Sequence, residues 1–76
     1  MISYKLKLKS DVILRIYDLL GREIVTLVSG QKPAGTYTIK WDGRNSEGRQ
    51  VGSGVYFYQL RCGNGFISTK KMSLIR

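Results

Sequence analysis

Histidine is absent from this 76-residue chain, cysteine occurs once, and only five residues are acidic. With no histidine and Cys62 alone, the usual transition-metal ligand sets and the Cys–His nucleophile pair lack their parts, and no intrachain disulfide can close. Ser10, Ser29, Ser46, Ser53 and Ser68 have no histidine to activate them either, and no Ser–Lys motif stands behind them. The chain is therefore expected to be no enzyme, with no catalytic residue, no cofactor and no metal. Proline also appears once, and no apolar run reaches the length of a bilayer span or a signal-peptide core. If the protein is exported, its signal lies outside this sequence.

What remains is a sequence able to fold. Apolar residues make up 42% of it, with nine glycines and eight aromatics, which separates it from disordered tails and low-complexity linkers. Its length suits one domain, because a chain this short buries roughly 60–65% of its unfolded surface and has no material for a second core. A net charge of +8 raises nucleic acid as a partner, but the cations are dispersed. Lys5, Lys7 and Lys9 alternate with apolar residues, and Arg15, Arg22, Lys40, Arg44, Arg49 and Arg61 stand singly. That is the wet face of a sheet, so neither a nucleic acid nor a small-molecule substrate is expected.

Period-two alternation opens the chain: Ile2, Tyr4, Leu6 and Leu8 share one face, and Ser3, Lys5, Lys7 and Lys9 the other. Ser10-Asp11 reads as a turn, and residues 12–17 follow as a strand with Val12, Leu14 and Ile16 inward. Residues 18–22 reverse the chain at Gly21, and residues 23–28 form the third strand. A helix over residues 12–27 competes, but seven β-branched residues between positions 12 and 28 and a central Gly21 oppose it. Residues 29–35 read as a loop, residues 36–41 as a strand ending on Trp41, and residues 42–48 as a second loop. A short strand over residues 49–51, a strand over residues 55–61 and a last one from Phe66 to about Ile75 complete the count. The fold class expected is all-β, an immunoglobulin-like antiparallel sandwich of about seven strands.

The second loop gathers Asp42, Asn45 and Glu47, whose spacing does not fit a calcium loop; Asp42 suits a cap on its own turn. Tyr37, Trp41, Tyr56 and Tyr58 offer apolar area with a polar tip, and Gly35 and Gly54 open strands.

Five ordered segments carry a family likeness: Ile16-Tyr17-Asp18-Leu19-Leu20-Gly21-Arg22-Glu23-Ile24, Pro33-Ala34-Gly35-Thr36-Tyr37, Trp41-Asp42-Gly43, Gly54-Val55-Tyr56-Phe57-Tyr58 and Thr69-Lys70-Lys71-Met72-Ser73-Leu74. In this order the series looks like the C-terminal sorting domain of type IX secretion cargo, and it resembles the related Ig-like domain of flagellar hook-capping proteins. The likeness covers nearly the whole chain; the Asn-Pro-rich lead usual before the first strand is missing. The sorting branch implies that residues 1–76 are one non-catalytic module ending a larger secreted protein, with a covalently linked cargo domain upstream. Its partners would be the outer-membrane secretion machinery and a sorting protease. Its place would be secreted or at the cell surface, reached through the periplasm and outer membrane. The alternative is a structural Ig-like module of a flagellar hook-capping or adhesive multidomain protein. The sorting branch puts recognition on the last strand, at Lys70, Lys71, Met72, Leu74 and Arg76, where a basic edge could pair with a receptor strand. Lysine on an edge strand equally serves to block unwanted pairing.

Overall fold

A computed structural model describes residues 2–75 and builds them into six strands without a helix. These are β1 (Ile2–Leu6), β2 (Ser10–Tyr17), β3 (Glu23–Lys32), β4 (Gly35–Ile39), β5 (Gly54–Cys62) and β6 (Ile67–Leu74). All pairings are antiparallel. Four strands form one sheet in the order β3-β2-β5-β6, and β1 pairs with β4 in a second sheet. The all-β, immunoglobulin-like class is as expected, with six strands where about seven were counted.

The core follows from the alternation in β2. Val12, Leu14 and Ile16 turn to one face and are all 0% exposed. Their ladder partners on β5 are Cys62, Leu60 and Tyr58, so one face of β2–β5 is nearly continuous apolar surface. The small sheet closes over it with two anchors, Ile2 and Leu6, while Tyr4, Tyr37 and Ile39 are only half-buried. Tyr4 and Tyr37, opposite each other in the ladder, stack with ring centroids 5.1 Å apart.

The missing strand is the segment over residues 49–51, which makes only an isolated bridge, Arg44 to Gln50. The reason is Asn45. Its side-chain oxygen accepts the amides of Glu47 and Arg49, both at 3.0 Å, and curls the chain too tightly for a ladder. The loop is nonetheless ordered by further bonds: Val51 N–H donates to the Gly43 carbonyl and Ser46 N–H to the Ile24 carbonyl of β3. Gly43 takes φ 75°, a left-handed conformation that favours glycine, and is itself buried. Asp42 caps its turn as expected, accepting the Arg44 amide at 3.1 Å.

Element ends also shift. β1 stops at Leu6, and Leu8, expected inward, is 71% exposed. The chain must leave the small sheet for the large one here, so it bends at residues 7–8, and Ser10-Asp11 opens β2 opposite Lys32 and Gln31 instead of turning. The loop expected over residues 29–35 shrinks to Pro33-Ala34, because β3 stays paired through Gly30, opposite Val12, to Lys32. Trp41 falls just beyond β4 and packs edge-on against Tyr56 at 5.1 Å.

Two tyrosines use one device. Tyr37 donates its hydroxyl to the Pro33 carbonyl and Tyr56 to the Gly52 carbonyl, each four residues upstream, at 2.5 and 2.6 Å. Each follows a strand-opening glycine by two positions, Gly35 and Gly54, which share nearly the same φ of 154° and 152°. Immunoglobulin-type sandwiches fix a strand entry in a comparable way with their tyrosine corner.

Candidate interaction surface

Among the described residues β6, the strand expected to carry recognition, pairs with β5 alone and so forms a sheet edge. Its side chains do not form one surface. Lys71 sits opposite Phe57 on the outer face of the large sheet, whereas Lys70 and Met72, opposite Tyr58 and Tyr56, belong to the inner face. Met72 and Leu74 are half-buried against the core and hold β6 in place. Lys70 and Lys71 are exposed, and Arg76 lies outside the described residues.

The hairpin joining β2 to β3 presents a different kind of surface. Asp18 gathers the turn: one carboxylate oxygen accepts the amides of Leu20 and Arg22 at 2.9 Å each, and the other accepts Arg22 Nε at 2.8 Å. Backbone bonds between Asp18 and both Gly21 and Arg22 complete it, with Gly21 at φ 81° as its position before Arg22 predicts. These donors, the Arg22 amide foremost, hold the Asp18 carboxyl below its ordinary value. A turn so fixed pushes Leu19 and Leu20 into solvent, at 66% and 77% exposure. Leu19 also helps line a groove of about 370 Å³ on the outer face, with Tyr17, Phe57, Gln59 and Thr69. The signal for this surface was available in the sequence: an aspartate three residues ahead of a turn glycine, bracketing two leucines that have no inward position to take.

At the opposite end of the sandwich, Leu8 and Phe66 stand exposed beside Lys5, Lys7 and the half-buried Cys62 thiol. Three acidic side chains are paired near the hairpin and second loop: Asp18 with Arg22, Glu23 with Arg15 at 3.3 Å, and Asp42 with Arg44 at 3.6 Å. Burial of Tyr4 above all, with the negative charges Tyr37 and Cys62 would carry, pushes its hydroxyl pKa above 10.0. Among the described residues no three His, Cys, Asp or Glu side chains come together.

Against known proteins, two curated relatives share 38% identity over 50 residues: the basal-body rod modification protein FlgD of Salmonella typhimurium and that of Salmonella typhi. The aligned stretch covers 66% of this chain and 22% of each relative, so the chain spans under a quarter of their length. No solved structure matches it at comparable significance. The family described as FlgD Ig-like domain matches residues 2–65. This overturns the type IX sorting reading and the secretion role attached to it, in favour of the flagellar alternative. The motifs behind that reading build turns and strand entries, which both branches need, and the tail it leaned on lies beyond residue 65, with Met72 and Leu74 spent on the core. With the match running over most of its length, the chain belongs to the FlgD Ig-like domain family.

Proposed function

We propose that this chain is a non-catalytic structural module of a flagellar basal-body rod modification or hook-capping protein, contributing a rigid immunoglobulin-like body to that assembly. The observation that carries the reading is the family match over residues 2–65, joined to 38% identity with a protein named for rod modification. A scaffold role also agrees with where the polar chemistry goes. Asp18, Asp42 and Asn45 spend their side-chain oxygens on backbone amides of their own turns. Such side chains are committed to shaping their own turns.

Deleting the segment that encodes this chain from its gene, in frame, should leave cells with incomplete flagella by electron microscopy and without swimming motility. Restoring the segment should restore both. Normal flagella in the deletion strain would overturn the reading.

A further inference from the structure

The two layers of the sandwich are unequal, four strands against two, and the mismatch leaves a cleft. Among the described residues β1 pairs only with β4, so its other edge has no strand beside it. A hollow of about 200 Å³ runs along that edge and touches residues 2, 3, 4 and 5 in succession. Side chains of consecutive strand residues point to opposite faces, so a hollow meeting four in a row lies along the backbone edge and not under one face. Its floor is the inner face of the large sheet at Leu60 and the half-buried Tyr58, above the wholly shielded Leu14, and its far rim is Ser68 and Lys70 of β6.

Three features define what fits. The wall is an unpaired strand edge, where alternate residues turn N–H and C=O groups outward for an incoming strand. The floor is apolar and accepts alternate side chains of an extended segment. The charged lining residues are Lys5 and Lys70, both cations, with no acid among the lining. We propose that this cleft binds an extended acidic peptide segment as a third strand of the small sheet, apolar side chains down and a carboxylate between Lys5 and Lys70. A second copy of this chain is disfavoured, because each carries +8. A bilayer surface or a nucleic-acid duplex is too broad to enter a hollow of this size.

The test uses the whole chain and three eight-residue peptides with blocked ends: alternating valine and glutamate, alternating valine and lysine, and the glutamate peptide N-methylated at every second residue. Backbone amide shifts and hydrogen exchange are followed by NMR. The glutamate peptide should shift Ser68 and Lys70 and slow exchange along β1, while the other two should not bind. Lys70→Glu, an exposed change, should weaken binding about tenfold, the size of a reversed partly exposed charge pair. Absence of binding, equal binding of the lysine or N-methylated peptide, or protection confined to β3 or the outer edge of β6 would each overturn the proposal. Purified chain is the only protein present, so the outcome is independent of any flagellar role. Anionic vesicles serve as a further probe: binding them with no change at β1, in place of the peptide, counts against the cleft.

Discussion

The two sheets are built on different principles although they share a core. In the large sheet β2 lies between β3 and β5, and its three inward residues are wholly shielded. In the small sheet both strands are edges, and only Ile2 and Leu6 reach full burial. One layer therefore holds itself together through ladders on both sides of a central strand, and the other depends on what it covers. Of the two layers, β1 and β4 make the thinner one.

Removing the central anchor tests that difference most strongly. Leu14→Ala should cost about 3 kcal/mol, much of the margin available to a domain of this size, seen as a large drop in urea midpoint. Ile2→Ala should cost about 2 kcal/mol, since the open small sheet can settle into part of the cavity. In hydrogen exchange, Ile2→Ala should loosen β1 and β4 while β2 and β5 stay protected. A loss from Ile2→Ala as large as that from Leu14→Ala, with all strands opening together, would erase the distinction between the layers.

The large sheet was the legible part of the sequence, and the reasons are local. Val12, Leu14 and Ile16 alternate without interruption, and Gly21 sits where a hairpin needs it, so β2, β3 and their turn could be placed from pattern alone. The small sheet was harder. Leu8 continues the alternation of β1 perfectly, yet it is exposed, because the layer change falls before it and periodicity carries no record of where a chain switches sheets. The segment over residues 49–51 looked like a strand because nothing in its own residues reveals that Asn45 reaches forward to bind the Arg49 amide. The residues expected to carry recognition meet a related limit of sequence order. Lys70, Lys71, Met72 and Leu74 are contiguous in sequence, but the pleat deals them to two faces and the core claims two of them. The cleft beside β1 was invisible in the sequence, since it arises where, among the described residues, no strand pairs with the second edge of β1.

The paired tyrosines offer a finer probe of the same contrast. Tyr56 is buried on the large sheet and Tyr37 half-buried on the small one, yet both hydroxyls bond a carbonyl four residues back. Tyr56→Phe should cost about 1 kcal/mol, because the Gly52 carbonyl loses its partner where the ring stays shielded. Tyr37→Phe should cost a few tenths of that, as water can replace the hydroxyl. Equal losses in thermal melts would mean that the small sheet excludes water as well as the large one does.

The smallest effects separate the sheets by pH. Asp18, in the large-sheet hairpin, has its carboxyl held low by the Arg22 amide first, then by Arg22 Nε and the Leu20 amide, with burial working against them. A depressed acid stabilises the fold above its unfolded pKa, and that contribution fades as pH falls through the lower folded value. Tyr4, in the small sheet, is shifted the other way, upward from 10.0 by burial first and then by Tyr37 and Cys62. Its neutral form is the one the fold prefers, so its contribution is complete below 10.0 and disappears as pH climbs through the raised folded value. Acid should therefore loosen the β2–β3 hairpin first and alkali the β1–β4 pair. Asp18→Asn should flatten the acid limb of a pH–stability curve and leave the alkaline limb unchanged, while Tyr4→Phe should flatten only the alkaline limb. If either substitution moved both limbs, the two sheets would be titrating as one unit, and the independence inferred from their burial would not hold.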